Sequence, residues 1–397
     1  MTQDSTSSPL PPAEARRRRL AQTAAYCIAF VALGLFSASL GPTLPGLAQH
    51  TQARLNEISY LFTARALGYL IGSFIGGRLY DRLRGHLVMA GVLALMAAMM
   101  TLVPLVPLLA LLAVAVALLG MGEGALDVGG NTLIVWVHGE RVGPYMNALH
   151  FCFGLGAFLS PIIIAQAVLL SGDITWAYWA LALLMLPAFL WLLRTPSPPS
   201  PAAGGNGANG PARPLLVVAL SLFLLLYVGA EASFGGWVYT YAVARGLGTA
   251  TSAAYLTSAF WGALTLGRLL SIPLAAAFKA ATVLLADLLG CLAGMALLVA
   301  LPGSVVALWA GALLTGFGMA AIFPTAIALA GSRMTLTGRV TGWFLVGASL
   351  GGMTLPWLIG QLFERVGPQV TMWLIGAALV AALGVFAAMT RGDSSGS

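Results

Sequence analysis

The chain has 397 residues, of which 59% are hydrophobic and only 8% charged, against about 25% charged in an ordinary soluble domain. That composition excludes a soluble enzyme and marks a protein that crosses the membrane many times. The net charge of +7 would suggest nucleic acid in a soluble chain. Here the basic residues fall mostly in short loops, which points to membrane orientation and to no nucleic-acid partner.

The N-terminus, "MTQDSTSSPLPPAEARRRRL", is polar and proline-rich and ends in four arginines. Residues 1–19 are expected to form a disordered cytoplasmic tail. The apolar run that follows is too long for a signal-peptide core and has no clear cleavage site, so it is expected to remain as the first span. A span needs about 20 apolar residues. Twelve candidates follow in order: 21–48, 56–80, 86–104, 106–136, 142–171, 174–194, 214–244, 250–276, 281–301, 304–331, 338–363 and 368–390. After the sixth comes "TPSPPSPAAGGNGANGPARP", whose Pro, Gly, Ser and Asn content marks a flexible linker. The expected organisation is an N-terminal six-helix bundle (20–194), a cytoplasmic linker (195–213), a C-terminal six-helix bundle (214–390) and a short tail (391–397).

Charge sets orientation. With the N-terminus inside, fourteen of the nineteen basic residues lie in inside loops and ends. Outside loops hold Arg54, Arg245 and Arg365, and two arginines, Arg65 and Arg268, fall within spans. Both termini are therefore expected in the cytoplasm. Cys27, Cys152 and Cys291 all lie in apolar segments, so no disulfide framework is expected.

The two halves repeat. Tyr60-Leu61 matches Tyr255-Leu256, Gly72 matches Gly267, and Pro161 and Gln166 match Pro356 and Gln361, all at an offset of 195. "GLFSASLGP" (34–42) overlies "GAEASFGGW" (229–237) at the same offset. Repeats of this kind build transporters, with a site near the bilayer midplane between the halves. The expected fold is an all-α membrane protein with twelve transmembrane helices in two pseudo-symmetric bundles.

Between spans two and three stands "GGRLYDRLRGHL" (76–87). Through Gly77, Leu79, Asp81 and Arg82 it resembles the loop signature of the major facilitator superfamily, with Arg84-Gly85 reversing the usual Gly-Arg order. By the same resemblance, Gly77, Asp81 and Arg82 are expected to form a conformational latch, with Asp81 pairing with arginines and helix N-termini. The alternative is a plain cytoplasmic turn. "ARALGYLIGSFIGGRLYDR", "DVGGN" and "YMNALHFCFGLGAFLSP" are similar to the sodium-dependent glucose transporter branch of that superfamily, and more distantly to fucose permease. Fucose permease places an acid four residues before an asparagine on its fourth span. Asp127 and Asn131 match that pair. Thr132 replaces the proline that follows there, and span one holds no acid.

Glu123, Asp127 and Asn131 are spaced i, i+4, i+8 and share one helix face. A charged acid at the bilayer centre costs roughly 2.5–3.5 kcal/mol, so the stripe must face a watery cavity or a partner. Asp127 and Glu123 are therefore the candidate cation-coupling pair, exchanging a proton or holding a cation. Gly120 and Gly122 read better as helix-packing glycines. Arg65 and Arg268 are the candidate charge partners, or members of plain structural ion pairs. Asn147 and His150 on span five can bond sugar hydroxyls, and His150 can shuttle protons; a satisfied structural histidine is the alternative. Glu231 joins them because the resemblance places span seven along the cavity. Trp237 and Trp261 can stack on a sugar ring or serve as packing. Asp287 on span nine reads as structural.

No Walker motif, phosphate loop or metal-ligand spacing appears in the sequence, which argues against an enzyme or an ATP-driven pump. The expected function is secondary active transport of a small polar solute, a sugar by resemblance. H+ or Na+ would be the coupling ion, with no other cofactor. The chain is expected to act as a monomer in the inner (plasma) membrane. The alternatives are an efflux antiporter, against which "GLGAFLSP" on span five argues, and a non-transporting receptor or lipid-handling protein.

Overall fold

The computed structural model describes residues 12–199, 214–334 and 338–391. Residues 1–11 of the expected tail, 200–213 of the expected linker and 392–397 of the C-terminal tail lie outside the described residues. The N-terminal half comprises α1 (Pro12–Ser37), α2 (Leu40–His50), α3 (Leu55–Ile58), α4 (Tyr60–Arg82), α5 (Gly85–Leu102), α6 (Leu109–His138), α7 (Gly143–Ser171), α8 (Ile174–Leu183) and α9 (Leu186–Arg194). The C-terminal half comprises α10 (Pro214–Ala244), α11 (Ala250–Ala277), α12 (Ala280–Ala300), α13 (Val305–Met319), α14 (Ile322–Arg333), α15 (Gly338–Val366) and α16 (Val370–Arg391). Four expected spans are interrupted helices: α1 with α2, α3 with α4, α8 with α9, and α13 with α14.

Eleven helices among the described residues are long and apolar enough to cross a membrane. The expected eighth span is α11, a 28-residue helix that carries Arg268 among several Thr and Ser residues. In a medium without water every backbone N–H and C=O must be paired within the chain, and helices do this segment by segment.

The first helix begins before residue 20. Pro12 opens α1 and Glu14 lies in its first turn, a proline and an acid where a helix start favours both. The four arginines, with Ala and Leu around them, are good helix formers, so Arg16–Arg19 continue α1 rather than form a tail. The first residues of the expected linker are docked. Gln22 Nε2 donates to the Pro196 carbonyl at 2.8 Å, and a His86 ring nitrogen bonds the Thr195 carbonyl at 2.7 Å.

The repeat seen in sequence is a repeat of packing. In the first half α1 packs on α7 and α4 on α6; in the second, α10 packs on α15 and α11 on α13. These are the first and fifth, and the second and fourth, spans of each half. The α4–α6 seam is tight because glycine allows the backbones to approach: a methyl on Gly120 would overlap the Arg65 carbonyl oxygen. The halves meet along α4 and α15, α7 and α11, and α2 and α10.

Candidate functional site

A cavity of about 290 Å³ lies between the halves. Its apolar walls include Phe62, Phe153, Phe323 and Leu345, and its polar groups are few. Ser37, Arg65, Tyr69 and Glu123 come from the N-terminal half, and Glu231, Trp261, Arg268 and Ser349 from the other.

Two four-residue spacings interlock on the N-terminal side. Arg65 and Tyr69 on α4 face Glu123 and Asp127 on α6. Arg65 Nε donates to Glu123 Oε2 at 2.9 Å, and Nη2 to Oε1 at 2.6 Å. The same guanidinium donates to the Ser37 carbonyl at 3.0 Å and to Ser37 Oγ at 2.7 Å. Ser37 closes α1, so its carbonyl is one that a helix end leaves unpaired. The guanidinium also lies 5.1 Å from the Phe36 ring centre.

One turn along, the Tyr69 hydroxyl donates to Asp127 Oδ2 at 2.6 Å, and Asn131 Nδ2 donates to Asp127 Oδ1 at 2.9 Å. Since the Asn131 amide donates to Asp127, its oxygen faces His150, whose Nε2 stands at 3.2 Å. His150 must therefore carry its proton on Nε2 to complete the chain. The stripe expected from spacing thus exists, with each member partnered. Tyr69 was absent from the sequence reading, although it stands four residues from Arg65, and that spacing was the available signal.

On the C-terminal side the interruption of span ten matters. Met319 ends α13, and α14 begins at Ile322. The Tyr227 hydroxyl lies 2.8 Å from the Met319 carbonyl and within hydrogen-bonding distance of Glu231, one turn further along α10. Arg268 Nε donates to the Ala320 carbonyl at 3.4 Å. As a charge partner Arg268 departs from expectation: it makes no ion pair among the described residues. Trp261 lines the cavity, and its buried Nε1 has no acceptor among the described residues.

Other expected site residues lie elsewhere. Trp237 is fully buried outside the cavity; its Nε1 donates to the Pro356 carbonyl at 3.0 Å and its ring stacks on Phe363 at 5.2 Å. That is a packing role, because an indole buried in apolar surroundings must find an acceptor. Asn147 is exposed and does not line the cavity; it stands three residues before His150, nearer the start of α7. Asp287 sits on α12 away from the cavity. The expected latch is not engaged in this conformation. Asp81 and Arg82 are exposed, and Asp81 makes no hydrogen bond or ion pair among the described residues. Gly77 faces open space, while its neighbour Gly76 packs on Ala125.

The family model described as Major Facilitator Superfamily matches residues 26–356. Sodium-dependent glucose transporter 1 of Danio rerio is 34% identical over 381 residues, covering 86% of this chain. The aligned part is 64% of that protein's length, less than two thirds. Sodium-dependent glucose transporter 1 of Homo sapiens is 30% identical over 393 residues, covering 89% of this chain and 76% of that protein. The crystal structure of the nucleoside transporter NupG shares the fold, with a TM-score of 0.75 at 15% identity over 94% of this chain and 99% of that one. Two pseudo-symmetric helical halves around a central cavity, and a family match over most of the length, place this multi-pass membrane protein in the Major Facilitator Superfamily.

Proposed function

We propose that the chain is a secondary active transporter that moves a hexose-like sugar by alternating access, driven by an H+ or Na+ gradient. The observation that carries this reading is the mixed polarity of the C-terminal cavity wall. Trp261 Nε1 is a buried donor without a partner among the described residues, the terminal nitrogens of Arg268 have no hydrogen-bond acceptor among them, and Glu231 supplies an acceptor on the lining of the same cavity. A sugar hydroxyl both donates and accepts, so a polyol can satisfy all three at once, and a buried donor left unpaired is costly. The names of the two aligned relatives, sodium-dependent glucose transporters, agree with it.

Asp127 is the coupling acid in this reading. Glu123 is already neutralised by Arg65, whereas Asp127 is held by the neutral donors of Tyr69 and Asn131. A carboxylate whose charge is cancelled by an ion can tie that ion to occlusion of a dry cavity. One chain supplies both cavity walls, which suits a monomer. The basic-residue asymmetry supports a plasma-membrane orientation with both termini cytoplasmic.

The test is uptake of labelled hexoses into proteoliposomes under separately imposed H+ and Na+ gradients. Accumulation under one gradient, abolished by its collapse, is the expected result. If no hexose is taken up under either gradient by correctly folded protein, the sugar reading fails.

A further inference from the structure

Among the described residues, the hydrogen bonds between the two halves gather at one end of the molecule. Following successive helices from Pro12, the ends of α2, α7, α10 and α15 and the starts of α3 and α11 all fall at the end far from Pro12 and Arg391. There Gln166 Nε2 on α7 donates to the Tyr255 hydroxyl on α11 at 2.5 Å. Gln361 Nε2 on α15 donates to the Asn56 carbonyl at 2.7 Å and to Ser59 Oγ at 3.2 Å. Leu55 N–H donates to Glu364 Oε1 at 3.1 Å.

Gln361 follows Gln166 by 195 residues, and Tyr255 follows Tyr60, the neighbour of Ser59, by the same 195. The two glutamines are thus one position of the repeat used twice. Each reaches from the fifth span of its own half to the second span of the other. Between them the repeat mates Gly41 and Gly236 meet. A methyl on Gly41 would sit 3.0 Å from the Gly236 carbonyl oxygen and 2.6 Å from that of Gly235. A residue can touch its own repeat mate only near the pseudo-two-fold axis, so the axis passes between these glycines. Phe62 packs against Gly236 and lines the cavity beneath.

A glutamine between membrane helices is ordinarily packing glue within a bundle. These two bridge the boundary that must part if the cavity is to open at the far end. We propose that Gln166 and Gln361 are positioning residues of the transport cycle: a repeat-related pair of clasps that hold the far end shut in this conformation and release together when it opens. The proposal rests on the transporter reading but on neither the solute nor the ion.

The experiment therefore uses neither. The three native cysteines are replaced, and Ala232→Cys places one thiol on the cavity wall. A membrane-impermeant thiol reagent is then applied from each side of sealed vesicles of either orientation. Loss of the one neutral hydrogen bond of Gln166 in Gln166→Ala should raise the far-side labelling rate about threefold to tenfold, and loss of the two made by Gln361 in Gln361→Ala at least as much, each with a fall from the near side. Tyr255→Phe should reproduce Gln166→Ala and add nothing to it, while Ser59→Ala should do little because Gln361 keeps the Asn56 carbonyl. Unchanged labelling from both sides in the folded Gln166→Ala/Gln361→Ala double variant overturns the proposal. So does a parallel change on both sides with a lowered melting temperature, which is what simple packing would give. Should the double variant fail to fold, Tyr255→Phe and Gln361→Asn decide the matter by the same directional readout.

Discussion

Arg65 grips Glu123 through two nitrogens, at 2.9 and 2.6 Å, in a pair whose side chains are 20% and 8% exposed. The consequence is a division of labour along one helix face. Glu123 is held in a charge pair with Arg65, and on the proposed reading the acid left to respond to an ion is Asp127. Removing Glu123 alone strands a guanidinium away from water, a loss of roughly 3–5 kcal/mol for a buried pair. Glu123→Ala is expected to lower the melting temperature of the detergent-purified protein strongly, and Arg65→Met in the same chain to restore much of it. An unchanged melting temperature in Glu123→Ala shows that the pair contributes nothing.

Asp127→Asn keeps the size of the side chain and removes its charge. Gradient-driven accumulation is expected to be lost while solute binding and exchange survive. Tyr69→Phe deletes one of two donors to the same carboxylate, and hydrogen bonds to charged groups contribute about 1.5–3 kcal/mol. It should shift the ion concentration at half-maximal uptake while leaving exchange at saturating ion intact. Full ion-coupled accumulation by Asp127→Asn would remove this residue from the coupling role.

The two tryptophans separate binding from packing. Trp261→Phe keeps a ring on the cavity wall and deletes the unpartnered N–H, so hexose Kd should rise by about twofold to tenfold, the effect of one neutral hydrogen bond. Trp237→Phe leaves the Pro356 carbonyl without its donor, so it should lower the melting temperature and leave Kd unchanged. Equilibrium binding and thermal unfolding on the same preparations check both, and a swap of these outcomes refutes the assignment of Trp261 to the cavity.

What was legible in the sequence follows from what periodicity carries. Apolar length located the spans, and the constant offset of 195 located the repeat. The spacing of Glu123, Asp127 and Asn131 located one face of α6, because i, i+4 spacing is an intrinsic property of a helix. Rotation of one helix against another is not so encoded. Trp237 and Trp261 are equally plausible as cavity residues until glycines such as Gly235 and Gly236 set how α10 sits against its neighbours. Trp261 then faces inward and Trp237 faces Phe363. Arg268 was not read as a carbonyl ligand although a signal was present: Pro324, at the end of "TGFGMAAIFP", has no N–H, so the carbonyl of Ala320 four residues earlier has no helical donor and is free for the guanidinium. The start of α1 was missed because a run of arginines resembles a tail in composition while favouring helix in propensity.

Asp81 supplies the last test, because its state here is informative. It is exposed and has no partner among the described residues at the near end, while Gln166 and Gln361 are bonded at the far end. If Asp81 is the latch that the resemblance implies, it adds nothing to the stability of this conformation. Its contribution must fall on the opposite conformation, where the near ends of the halves come together. A carboxylate at a helix N-terminus contributes about 0.3–1 kcal/mol, which is about twofold to fivefold in population. Asp81→Asn should therefore leave the melting temperature and hexose Kd nearly unchanged, lower net flux, and increase labelling of the Ala232→Cys thiol from the near side. The sign is opposite to that expected for Gln166→Ala, so combining the two should return the labelling ratio toward that of the unmodified protein. If Asp81→Asn changes neither flux nor labelling, Asp81 serves only the charge asymmetry that orients the chain.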